Sequence, residues 1–533
     1  MALTKVTYSM ISGAPANVLD YGADPTGATS SVAAIQAAID ENPDGCVFFP
    51  VGTYLIDAQV DMDTGVSLSG YGATLSITTA SSSFVYGATA VCGPHVVEGF
   101  TIQGDGTTTL NRAVFHSVSG SQISGATYQD LYFDSVSFGI YVNQESAGNN
   151  TAAKIVGCRF VNIFDTSDGT ISGRGLGVAF SGGLIAGRPP LRGLVDGCTF
   201  TNTGRHAVYV SSGNTVTVSN NSFYEHRAGG TLKSYPLPAL NISRCQNIVA
   251  TGNTFIGNTD ACVAADNGSP SGTCSSINVL GNTFIDNSTY IFVVGTDDPD
   301  TNGLVTNVSF NSNVIKHKND SAYPPVYVEH CNVLTICGNQ FSATDLTVSL
   351  GAMISLYGFG STVPSNNYFI RDNTIIMPTS GIATSRGVSV NTNICSGTMA
   401  CIISNNDIVA IEPIYLASGQ TNQNLLTGRK INFPLNKTLT VAAGVIAVTA
   451  NRHYVATEGG AGTDDLDTIN GGEDGQLLVL SSSTSGQDVT LKDGTGNLRL
   501  AGDYTLTAVG DTITLIYDTP ASLWFEVSRS DNV

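Results

Sequence analysis

The chain has 533 residues, 42% apolar and only 12% charged, with 59 Gly and a formal net charge of −20. It is too apolar to be disordered, and it is poor in helix formers and rich in turn formers. Its acidity argues against nucleic acid or an anionic membrane surface as partner, since both need a basic footprint, and no apolar run reaches the ~18 residues of a membrane span.

Residues 1–16 form an aperiodic leader with one Lys and no apolar core of signal-peptide length, so the chain is expected to be made in a cytoplasm without standard export. The stretch from Asn17 to Ile56 then carries one amphipathic helix. Thr29 or Ser30 is the expected N-cap, Val32, Ile35 and Ile39 recur at helical spacing, and Pro43 and Gly45 end the helix. Cys46 to Phe49 reads as a buried strand and Pro50 to Gly52 as a turn. A lone helix at the head of stacked strands would cover the first open rung.

From about residue 60 to 430 the chain repeats. Asn253, Asn282, Asn313, Asn339, Asn373 and Asn406 each precede Phe or Ile by two places, with steps of 29, 31, 26, 34 and 33. Cys158, Cys198 and Asn221 continue the series upstream, each two residues before a Phe. Three short strands and three turns need about this length per coil. Asn suits the turn and can hydrogen-bond to its equivalent one rung away, while Phe and Ile stack inward. The pattern predicts an all-β chain: a right-handed parallel β-helix over residues 17–430, with the N-terminal capping helix. Residues 431–533 lose the ladder and show alternating β-runs between Gly/Asp turns, with the sole tryptophan, Trp524; a separate β-sandwich-like domain is expected. The 11 Cys are scattered without a CxxC pair and read as buried free thiols.

NVLDYGADPTG, AAIQAAID and VFFPVGTYLI over residues 17–56 resemble the opening of the pectate-lyase-like β-helix superfamily, above all the form found in bacteriophage tailspikes and tail-fibre depolymerases. The resemblance implies a homotrimer on the virion that acts on a bacterial surface polysaccharide (capsule, exopolysaccharide or O-antigen). It also implies attachment to other tail proteins through the N-terminus and a trimerisation or carbohydrate-binding role for residues 431–533. It assigns no catalytic residue, because these proteins vary their sites around a shared scaffold.

Reactive side chains concentrate between Cys198 and Arg227. Residues 154–244 hold nine Lys/Arg against four Asp/Glu, a net-positive zone that would focus an anionic polymer. His206 lies six residues after Phe200, and Glu225, His226 and Arg227 lie two to four after Phe223, so both groups should leave one edge in adjacent coils. In a β-elimination, the preferred reading, Arg neutralises a uronate carboxylate while His or Tyr moves the proton. His206, Glu225, His226, Arg227 and Tyr209 are the catalytic candidates; Arg205, Lys233, Tyr235, Arg174 and Arg188 are the substrate-binding ones. The alternatives are a hydrolase pairing Glu225 with another acid such as Asp286, two coils on, and a spike that grips glycan without cutting it. No metal is required, although Asp298, Asp300 and Asn302 match the first half of a calcium loop.

Overall fold

In the computed structural model, the chain is described except at residues 1–13, 80, 89, 107–112, 119–120, 145–151, 165–174, 183–190, 227–236, 267–273, 296–304, 319, 330, 345, 358–366, 380–384, 391–399, 417–424, 427–435 and 533. It divides into two compact units, Met1–Gly428 and Arg429–Val533.

The first unit is a parallel β-helix. Each coil contributes one strand to each of three sheets, and every strand pairs in parallel with its counterpart in the next coil, as Thr199–Thr203 does with Ser222–Tyr224. Among the described residues the sheets hold 16, 14 and 13 strands, here called the first, second and third sheets. Alternation along each strand sends every other side chain inward. Phe133, Phe160, Phe200, Phe223, Phe255 and Phe284 form one stack in the second sheet, with ring centroids 4.5 to 5.1 Å apart and planes within 10°.

The Asn ladder lies at the turn from the first sheet to the second. Asn221, Asn253, Asn282, Asn313, Asn339 and Asn373 are 0 to 1% exposed. Each side-chain amide donates to the next coil's Asn Oδ1 at 2.9–3.0 Å. The left-handed backbone of this turn belongs not to the Asn but to the residue before it: Asn220, Gly252, Gly281, Ser312, Gly338, Asp372 and Asn405 all have φ between 54° and 67°. That residue absorbs the chain reversal, which leaves the Asn free to turn its amide inward. At the head of the ladder Cys198 takes the Asn place; its N–H donates to Asn221 Oδ1 at 2.8 Å and its thiol to the Asp196 carbonyl at 3.5 Å. The nine cysteines whose side chains are described are free, and seven of them are buried.

The helix runs Val32–Asp40 and buries Ile35, Ala38 and Ile39. Its N-cap residue is Ser31, not Thr29 or Ser30, which end the strand Thr26–Ser30. The cause is local: the Asp24 carboxylate accepts from the amides and hydroxyls of both Thr26 and Thr29 and draws them into its own turn.

In the second unit Trp524, fully buried, donates Nε1–H to the Ile469 carbonyl at 2.9 Å, at the centre of a core with Leu478, Leu480, Ile513 and Leu515. The strands expected there are present, but several pair in parallel: Arg452–Ala456 with Leu477–Ser482, and Thr463–Leu466 with Asp488–Leu491. The pair Thr512–Asp518 and Leu523–Ser530 is antiparallel.

Candidate functional site

His206 and His226 do come together, but as a clamp. His226 is 1% exposed; Nε2 donates to the Leu237 carbonyl at 2.8 Å, and Nδ1 takes the Thr203 hydroxyl at 2.8 Å. His206 is 3% exposed, and its Nδ1 donates to the neighbouring Pro238 carbonyl at 2.6 Å. The Asp260 carboxylate accepts from the Leu237 amide at 3.1 Å. Two imidazoles and a carboxylate thus hold the backbone at Leu237 and Pro238. With both ring nitrogens of His226 engaged by backbone and hydroxyl groups, its chemistry is that of a staple and not of an exposed proton shuttle.

Glu225 is exposed and adopts φ 50° at a turn. Register carries it through Gly257 to Asp286, two coils on, whose carboxylate faces Lys316 Nζ at 3.7 Å. Glu225 and Asp286 therefore share a register two coils apart. Arg205 leaves its Nε buried without a partner among the described residues. Arg227, Lys233, Tyr235, Arg174 and Arg188, and the calcium-loop match at Asp298, Asp300 and Asn302, lie outside the described residues.

Tyr209 leads to a second constellation that the sequence reading missed. On its third-sheet strand, His206–Ser211, Val208 and Val210 point inward, and Tyr209 points out. Register then runs from Tyr209 through Asn241, Ala264 and Val293 to Tyr327. The outer face is a trough floored by Asn241, Ala264 and Val293, all shorter than the two tyrosines that bound it roughly 19 Å apart over four rungs. At its far end Tyr290, Tyr323, Tyr327 and Tyr357 pack with ring centroids 5.1 to 5.2 Å apart.

Along one side of this trough runs a polar column: Asn143, Ser181, Ser211, Ser243 and Asp266, one per coil. The same register continues to Gly295, whose N–H meets the Ala265 carbonyl, and to Glu329, whose N–H meets the Val294 carbonyl. Asp266 and Glu329 therefore stand two rungs apart, roughly 10 Å between backbones, with only a glycine between them. Asp266 accepts the Ser243 hydroxyl at 2.7 Å, and Glu329 accepts the Tyr327 hydroxyl. Burial, then the adjacent Glu329 carboxylate, pushes the Tyr327 phenol well above its ordinary range, so it stays a proton donor in that bond. A carboxylate pair at this spacing can protonate a glycosidic oxygen on one side and activate a water on the other.

A signal for these residues was present. The third-sheet strands Val263–Asp266, Phe292–Val294 and Val326–Val328 share an inward-outward-inward pattern with the polar column next in line. It was obscured because the interval from the second-sheet Phe or Ile to the third-sheet strand varies from coil to coil.

A family model described as rhamnogalacturonase A/epimerase, pectate lyase-like, matches residues 16–231. Residues 16–231 are thus similar to that pectate-lyase-like family. Tailspike protein 3 of bacteriophage CBA120 superposes with a TM-score of 0.51 at 10% identity, covering 100% of this chain and 73% of that one, and shares the fold. The A-module of the mannuronan C-5 epimerase AlgE4 of Azotobacter vinelandii gives a TM-score of 0.47 at 15% identity, covering 77% of this chain and 99% of that one. A mutant tailspike of E. coli bacteriophage HK620, in complex with a pentasaccharide, gives 0.44 at 12% identity, covering 95% of this chain and 84% of that one. No curated protein matches the sequence significantly.

Proposed function

We propose that this protein is a phage tailspike that binds and depolymerises a bacterial surface polysaccharide in the trough on the outer face of the third sheet. The carrying observation is the Asp266–Gly295–Glu329 column beside the tyrosines. The pectate-lyase-like match over residues 16–231 supports the reading, as does the fold shared with a tailspike.

Tyrosine faces give a pyranose ring an apolar surface to stack on, and the half-buried Asp266 and Glu329 offer carboxylate partners along its side. Hydrolysis by two carboxylates with inversion fits the two-rung spacing better than elimination fits the clamped histidines. Homotrimer assembly and attachment to the virion tail through residues 1–16 belong to the same reading.

The test is release of reducing ends from a panel of purified capsules, exopolysaccharides and O-antigens. Glu329→Gln and Asp266→Asn should each lower the rate by about 100-fold or more while the folded protein retains binding. Absorbance near 235 nm, which reports the unsaturated uronate of an elimination, should not rise. Full activity in both variants would reject this pair, and rising absorbance would return the mechanism to β-elimination.

A further inference from the structure

One coil before Asp266, the strand Leu240–Ser243 and the turn after it carry two buried polar atoms without partners. Asn241 Oδ1, in the floor of the trough, accepts no hydrogen bond, and Arg244 Nε donates none, among the described residues. Unmet buried groups of this kind are uncommon, and each calls for an explanation such as a water or a ligand.

Their setting favours a ligand. Arg244 has φ 55°, and its N–H bonds the Asp266 carbonyl at 2.9 Å. Its guanidinium turns back along the polar column, where Nη2 donates to Ser211 Oγ at 3.1 Å. Among the described residues Arg244 forms no ion pair, so its charge meets only a neutral hydroxyl. The neighbouring carboxylate, Asp266, takes the Ser243 hydroxyl. The guanidinium is thus held in place by one fixed contact, with a second donor unspent beside the trough. On the same strand the Asn241 amide supplies the complementary acceptor.

We propose that Asn241 and Arg244 form a subsite for an acidic sugar. Arg244 Nε–H would bind the carboxylate of a uronate unit, and the Asn241 side-chain oxygen would accept a hydroxyl of the same or the adjoining unit. The proposal rests on reading the third-sheet face as the glycan trough, and it gives that trough a substrate class. The acidic unit lies one rung from Asp266, next to the bond to be cleaved, so its charge decides which polymers are cut. An arginine suits this place because a charge-assisted guanidinium–carboxylate bond is about twice as strong as a neutral one.

The experiment uses full-length protein inactivated by Glu329→Gln, with a fluorescent β-1,4-linked glucuronate hexamer and its carboxyl-reduced glucose counterpart as probes. The acidic hexamer should bind at least about tenfold more tightly than the reduced one. Adding Arg244→Gln should bring the two within about twofold, with the affinity for the reduced hexamer unchanged; Arg244→Lys, which keeps the charge and loses the Nε donor, should fall between. Crystals of the protein without the Arg244 change, soaked with glucuronate and separately with glucose, should show a carboxylate on Nε from the acid alone, a readout independent of how the variant folds. Equal binding of both hexamers, failure to bind the acidic one, or discrimination that survives Arg244→Gln overturns the subsite. In those cases Glu329-dependent release of reducing ends from a surface polysaccharide would leave the cleavage reading standing; loss of that release would overturn the cleavage reading separately.

Discussion

Asn282 offers a direct test of what holds the β-helix together. Its Oδ1 accepts both the backbone N–H of Asn253 at 2.9 Å and the Asn253 side-chain amide at 3.0 Å. Its own amide donates to the Ala250 carbonyl at 3.0 Å, the Leu280 carbonyl at 3.2 Å and Asn313 Oδ1 at 3.0 Å. Asn282→Ala therefore strands two donors on Asn253, which is 1% exposed, and takes a donor away from the Ala250 and Leu280 carbonyls. Each stranded buried group costs about 1–3 kcal/mol, so the variant should lose about 2–6 kcal/mol. Asn282→Cys should fall short of that loss, because Cys198 shows that a thiol in this column still donates to a carbonyl. Denaturant titration gives the difference, and hydrogen exchange locates it: the Asn253 amide should exchange far faster, while Trp524 of the second unit should not change. A loss below 1 kcal/mol with a protected Asn253 amide would refute the ladder as a source of stability.

Three further outcomes follow from particular contacts. A Cβ at Gly295 would lie 2.2 Å from the Glu329 carbonyl oxygen, and the backbone there has φ +126°; Gly295→Ala should cost about 1–3 kcal/mol and, by displacing Glu329, lower reducing-end release more than its loss of thermal stability explains. His226→Ala removes the bonds to Thr203 and Leu237 and should lower the melting temperature, whereas His226→Asn should recover part of it, since the next coil holds buried Asn258 at the equivalent place. Burial holds the His95 imidazole below its ordinary 6.5, with ring contacts to Tyr86 Oη at 2.6 Å and the Gly93 carbonyl at 3.0 Å. The unfolded chain then takes up the proton first as pH falls, so the stability due to His95 is full above about 6.5 and drains away below it. Melting curves between pH 8 and 5 should show His95→Gln losing less than the unmutated protein over that window; parallel curves would refute the assignment.

The repeat was legible because its cause is local. Asn and Phe must recur at one place in every coil, since the amide ladder and the ring stack each bond or pack only to their own equivalents, and that regularity survives insertions elsewhere. The trough was not legible for the opposite reason. Asp266, Gly295 and Glu329 are separated by 29 and 34 residues and follow segments of unequal length, so no spacing marks them as a column. The density of the histidines was legible in the sequence, while their burial and their bonds to Leu237 and Pro238 were not, since those partners lie 11 and 32 residues away. Tyr209 belongs to both accounts: its residue type could be read directly, but its place in the trough depended on which face of the strand it occupies.

Sequence alone determined the architecture of this protein: one coil per repeat, an inward aromatic stack, a buried amide column and a helix at the head. The stack and the amide column follow from side chains interacting with their own kind one rung away, and the helix from apolar residues at helical spacing. Only the tertiary structure decided which outer side chains stand together, because a column on a solenoid is built across rungs, from residues that share a register and little else.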